Sequence, residues 1–214
     1  MIYLGIDPSF TKTGAVLLDD ELKTIKFLAI SPPGSNTDYA SMLNRSAHIS
    51  IGIIRQLDLH REVISVIEEP LLTSQRASVL GVLSASLSWA LAYIPCVREM
   101  YSINPSYVSS LNRPIMKEQG LNKKQASQYV VERILEHFTN VKGYSIEIYN
   151  EKTNKDGTMK ARILSHDEAE SFLLLLTLLM HKGVVNDLDM RFLGSLNRKF
   201  FRDTKLNKIL SKKE

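Results

Sequence analysis

Four acidic residues in three separate places carry the chemistry that this chain could do. Asp7 ends the apolar run Ile2 to Ile6, and Glu68 ends the run Val63 to Ile67. Asp167 and Glu170 sit three apart at the start of a long apolar stretch. A carboxylate at the end of a buried strand is costly unless something compensates its charge. A pair of divalent cations does so, and two metals held by carboxylates form a site for phosphodiester hydrolysis.

Each anchor has local logic. Gly5-Ile6-Asp7-Pro8-Ser9, followed by Thr13-Gly14, places a carboxylate at a strand end before a tight turn back into the sheet. In Ile67-Glu68-Glu69-Pro70 the strand alternation sends Glu68 and Glu69 to opposite faces, and Glu68 is the one expected beside Asp7. In Ser165-His166-Asp167-Glu168-Ala169-Glu170, residues 167 and 170 share one helix face. Ser165 and Glu168 fit a capping box, which accounts for Glu168 but not for Glu170. Glu170 precedes Phe172 to Leu176, apolar nearly all round and therefore buried, so a ligand role is expected for it. His166 is a possible accessory contact to metal, water or phosphate, or simply the first exposed helical residue.

The elements that must position these residues follow from periodicity. Residues 2–7, a strand beginning at Ala15, and residues 24–30 read as an antiparallel meander with short turns. A helix is expected over 38–59, a buried parallel strand over 63–68 and a small-residue helix over 74–92. A fifth strand over 95–102, a short proline-led helix after Asn104 and an amphipathic helix over 122–138 follow. Residues 143–164 read as a hairpin insertion, with strands 144–149 and 159–164, and the last core helix spans 166–181. The sum is an α/β mixed sheet, three meander strands plus parallel strands flanked by helices. The expected division is a nuclease domain over 1–185 and a basic segment over 186–214.

At 214 residues the chain fits one domain, and a hydrophobic content of 44% is ordinary for a globular protein. Its one cysteine allows no disulfide framework and no cysteine zinc site. The longest apolar stretch is too short to span a bilayer, and the first segment reads as a strand rather than an export signal. A cytoplasmic setting with no membrane partner is expected. Residues 191–214 hold eight basic residues and two acids, which leaves residues 1–190 at −2 within a net charge of +4. A basic end on a near-neutral body points to a polyanion.

Taken together, the anchors resemble the RuvC family of Holliday-junction resolvases, nucleases of the ribonuclease H-like fold. Gly5-Ile6-Asp7-Pro8 with Thr13-Gly14 looks like the family's first motif, Ile67-Glu68 its second, and Asp167-Glu168-Ala169-Glu170 its last. Ser78-Val79-Leu80-Gly81 is similar to the small-residue helix after the second motif. Pro105-Ser106-Tyr107-Val108 and Lys123-Lys124-Gln125 stand where the family has a proline-led helix and a basic helix start. The resemblance implies an enzyme dependent on two Mg²⁺ ions, with Mn²⁺ as a possible substitute. Asp7 would bridge the ions, Glu68 would complete one site, and Asp167 with Glu170 the other. It further implies a homodimer that cuts opposed strands of a four-way DNA junction in a bacterial cell or phage-infected host. Arg113, Lys117, Lys123 and Lys124 form one expected DNA-binding group, and Arg198, Lys199 and Arg202 in the tail another.

The chain departs from the family pattern in several places. Glu170 stands where the family usually has Asp, and no aromatic follows Glu68 in Glu69-Pro70-Leu71-Leu72. The turn before the basic helix is altered to Arg113 through Gly120, and residues 143–164 and the tail look like additions. These features fit a divergent, phage-encoded member and support nuclease chemistry more firmly than strict junction specificity. A broader nuclease for forks and flaps, and a non-catalytic nucleic-acid-binding module, remain as alternatives. An actin-like or sugar-kinase-like ATPase shares the first turn, but that fold duplicates its domain and needs a second phosphate turn.

Overall fold

The computed structural model describes residues 1–9, 11–34, 38–70, 77–148, 164–186 and 205–212. Strands β1 (Ile2–Asp7), β2 (Thr13–Asp19) and β3 (Thr24–Ile30) form the expected antiparallel meander. The first turn is closed by Thr13, whose Oγ1 accepts from the Ser9 amide at 3.1 Å and donates to the Ser9 carbonyl at 2.8 Å. Helix α1 (Tyr39–Ile54) is capped by Asp38 and ends five residues before the expected limit. There the chain tightens, with Gln56 and Leu57 amides bonding three residues back.

Strand β4 (Val63–Glu68) pairs in parallel with β1, and β5 (Val97–Ile103) in parallel with β4. Helix α2 (Ala77–Ala92) connects them. Helix α3 (Pro105–Gln119) is longer than expected: it carries Pro114 inside and runs through Arg113–Gln119, read above as a turn. It stops at Gly120, whose φ of +64° suits a residue without Cβ. Helices α4 (Lys123–Asn140) and α5 (His166–His181) each begin with a capping box, the second formed by Ser165 and Glu168 as expected.

Among the described residues, two further strands complete the sheet. Strand β6 (Ser145–Ile148) lies parallel to β3 at one edge, while residues 159–163 of its expected partner lie outside the described residues. Strand β7 (Asn207–Ser211), from the basic tail, pairs antiparallel with β5 at the other edge. The strand order is β6-β3-β2-β1-β4-β5-β7, the expected mixed α/β sheet with an antiparallel meander and parallel strands.

Alternation along the strands divides the core in two. Tyr3, Val16, Phe27, Val66 and Ile103 face α5 and α4, whereas Leu4, Leu17, Leu28, Ile67 and Met100 face α1 and α2. Helix α5 lies between the sheet and α4, so Phe172 to Leu179 are buried all round. Each such leucine contributes about 2 kcal/mol by leaving water. Among the described residues no helix is long and apolar enough to cross a membrane.

Candidate active site

Asp7 and Glu68 are the last residues of adjacent parallel strands. Ile6 pairs with Ile67, so the two acids sit side by side one step further on. Alternation aims both at the α5 face, with Tyr3 and Gly5 before one and Ile64 and Val66 before the other. The helix that brings the remaining acids can approach because two strand positions on that face are glycine. A Cβ at Gly5 would fall 2.4 Å from the Ser171 carbonyl oxygen, and one at Gly14 would fall 2.1 Å from that of Asp167. The first turn of α5 therefore rests directly on β2 and the following turns on β1, with Asp167 and Glu170 turned toward Asp7.

The four acids form one electrostatic group. Asp7 is only 6% exposed, and its carboxyl is pushed well above the usual range by burial, then by Glu68, Glu170 and Asp167. Glu68 is raised to about 7 by burial and by Glu170, against the opposing pull of its hydrogen bond to Asp7 and of Lys123. A hydrogen bond between two carboxyls requires a shared proton, which is how close acids relieve their repulsion. Burial also raises Asp167, while His166 and Lys12 draw it down.

Basic side chains meet the same acids. Lys123 Nζ lies 3.0 Å from Glu170 Oε1, and His166 Nε2 lies 3.4 Å from Glu170 Oε2. Ser127 Oγ stands 3.5 Å from Glu170 Oε1. Burial works against the Lys123 charge, but Glu170, Glu68 and Asp7 outweigh it and raise its pKa. His166 is lowered by burial, and its Nδ1 is buried without a hydrogen-bond partner. Glu168 is fully buried and occupied by capping, its Oε2 accepting from the Ser165 amide at 2.9 Å and hydroxyl at 2.7 Å.

Among the described residues, no three ligating side chains already close into a metal cage. The donor chemistry nevertheless fits a hard divalent cation: four carboxylates, all oxygen, with a shared proton and a lysine as exchangeable positive partners. The spare His166 nitrogen adds a polar contact on the same helix turn.

The expected basic residues separate. Lys123 stands at the acids and Lys124 acts on His166 beside them, whereas Arg113 and Lys117 are exposed on α3. Arg198, Lys199 and Arg202 lie outside the described residues. Lys12 near Asp167 and the glycine cradle were not singled out from sequence. Gly5 within an apolar strand was the available signal, since a strand glycine marks a close backbone approach.

No protein-family model and no curated protein sequence matches the chain. Among solved structures it is similar to T. thermophilus RuvC in complex with Holliday junction substrate, at 14% identity and a TM-score of 0.49, covering 86% of this chain and 96% of that one. It is likewise similar to the Thermus thermophilus RuvC structure, at 18% identity and a TM-score of 0.49, covering 86% of this chain and 97% of that one.

Proposed function

We propose that the chain is a divalent-metal-dependent endodeoxyribonuclease that acts on branched DNA and resolves four-way junctions by paired phosphodiester hydrolysis. The observation that carries this reading is the meeting of Asp7, Glu68, Asp167 and Glu170 at the ends of two adjacent central strands. They come from three distant stretches of sequence. Structural acids seldom gather so, because their repulsion costs stability that a bound cation offsets.

Asp7, which feels all three other acids, would be the donor shared by two divalent ions, Mg²⁺ or Mn²⁺. Glu68 would complete one ligand set, and Asp167 with Glu170 the other. Bound there, the ions would activate water for in-line attack and stabilise the leaving 3′ oxygen. His166 braces Glu170 through Nε2. Lys123 sets a cation beside the acids, suited to a phosphate of the substrate. Arg113, Lys117 and Lys124 supply phosphate contacts that add affinity and salt sensitivity without sequence choice. Arg198, Lys199 and Arg202, outside the described residues, would add phosphate contacts by their charge.

Symmetric cuts require two sites, and a second copy of this chain is the proposed partner. Trp89 on α2 and Tyr93 just past its end are exposed, their rings tilted against each other at 4.6 Å between centroids, beside an apolar groove of about 610 Å³ lined by Leu43, Ile51 and Ala85. A cytoplasmic site of action, in a bacterial cell or phage-infected host, suits a DNA substrate.

The test is cleavage of a labelled four-way junction beside duplex and forked DNA, with Mg²⁺ or EDTA, for wild type and Asp7→Asn. Paired nicks confined to the junction, lost in EDTA and in the variant, support the reading. Cleavage of forks and flaps keeps the metal site but broadens the substrate. Metal-independent junction binding without cleavage leaves a binding module.

A further inference from the structure

Glu69 follows Glu68 and faces the other side of the sheet. Its amide donates to the Ile103 carbonyl at 2.8 Å, keeping the end of β4 on β5. Its Oε1 accepts from Ser102 Oγ on β5 and from Asn207 Nδ2 on β7, the latter at 2.9 Å. The register brings these groups within reach: Ile67, two residues before Glu69 on the same face, lies opposite Ser102, and Ser102 lies opposite Asn207. One carboxylate therefore ties the end of β4 to β5 and, beyond it, to β7. Strand β7 is itself anchored, since the Lys212 amide donates to the Arg98 carbonyl at 2.9 Å and Lys212 Nζ to that of Ile94 at 2.8 Å.

The rotation of a strand's last residues decides where its final side chain points. Successive side chains on a strand are rigidly related, one to each face. Pinning Glu69 on the α1 and α2 face thereby holds Glu68 on the α5 face, beside Asp7. We infer that Ser102 and Asn207, acting through Glu69, are positioning residues for Glu68, so that the C-terminal strand helps to assemble the acid site. The inference rests on the nuclease reading above. It adds a role for the tail that is independent of its charge.

Full-length wild type, Glu69→Ala, Glu69→Gln and Asn207→Ala are titrated with Mn²⁺, with free ion followed by electron paramagnetic resonance. Thermal unfolding and junction cleavage are measured alongside. Loss of a supporting hydrogen bond around a metal ligand is expected to weaken Mn²⁺ binding by about 10-fold in Glu69→Ala and Asn207→Ala. Glu69→Gln keeps the accepting Oε1 and is expected to bind as wild type does. A merely structural role would lower the unfolding temperature without changing the affinity of folded protein. Should Glu69→Ala fail to fold, Asn207→Ala on the exposed edge strand decides the matter.

Wild-type Mn²⁺ affinity in Asn207→Ala overturns the positioning role and leaves the nuclease reading standing. Glu69→Gln binding as weakly as Glu69→Ala also overturns it, because charge rather than hydrogen bonding would then be at work. A wild-type protein that neither binds Mn²⁺ nor cleaves DNA overturns both.

Discussion

The backbone of Asp167 lies directly on Gly14: a Cβ at residue 14 would fall 2.1 Å from the Asp167 carbonyl oxygen and 2.7 Å from the Glu168 amide nitrogen. Two acids of the candidate site thus owe their position to a missing methyl group on β2. Relief by a flexible side chain is unavailable there, because the opposing atoms are backbone.

Gly14→Ala is therefore expected to lift the first turn of α5 away from β2 and carry Asp167 and Glu170 from Asp7. The overpacking should cost about 1–3 kcal/mol. Metal-dependent cleavage should fall even at temperatures where the variant stays folded. Gly81→Ala is the control: nothing lies within 4 Å of its added Cβ, and alanine favours the helix by about 1 kcal/mol. Wild-type cleavage by Gly14→Ala at saturating Mg²⁺ would show that the close approach is not needed.

The raised carboxyls set a pH dependence. Burial and Glu170 take Glu68 to about 7, and burial with the other acids takes Asp7 well above its ordinary value. In the unfolded chain both titrate near about 4. The folded state holds these protons more tightly, so their stabilising contribution is full below the unfolded values and lost as pH rises through about 7. Protein in EDTA is expected to melt at lower temperature at pH 8 than at pH 5.5. Mg²⁺, which needs ionised ligands, should restore more at pH 8 than at pH 5.5. Asp7→Asn should flatten this pH dependence while abolishing cleavage. Asp19, Asp20 and Glu99, lowered by cationic and hydrogen-bonding partners, lose their contributions only as pH falls below this window. Equal melting temperatures at both pH values in EDTA would contradict the shared-proton picture.

Salt dependence separates the basic residues. Lys124→Glu and Lys117→Glu should each reduce the slope of log Kd against log salt by about 1, if each contacts one phosphate. Truncating residues 191–214 would also remove β7, so the tail's charge is better tested by substituting Arg198, Lys199 and Arg202 together. Unchanged binding isotherms across several salt concentrations would remove those residues from the DNA surface.

The exposed aromatic pair at the end of α2 predicts an oligomeric state. Trp89 is 66% exposed and Tyr93 71%, beside the groove between α1 and α2. Trp89→Glu is expected to convert a dimer to a monomer in sedimentation equilibrium and to replace paired junction cuts by single nicks. A monomeric wild type would direct the search to another face.

The acids, their strands and the helix of Asp167 and Glu170 were legible in the sequence because each depends on local pattern. A β-branched apolar run ends in a carboxylate, and a capping box precedes an all-apolar helix. Alternation alone separated Glu68 from Glu69. Register along β1 and β4, and the depth at which α5 crosses them, depend on long-range packing against Gly5 and Gly14. Lys123 was legible as a basic helix start, but its pairing with Glu170 required α4 to lie on α5. Strand β7 was the least legible element: Asn207–Ser211 is short, half polar and charged, and it becomes a strand only because β5 offers an open edge. The sequence by itself determined which groups could do the chemistry. Only the tertiary structure decided which of them meet, because those meetings depend on backbone approach and strand register between segments far apart in the chain.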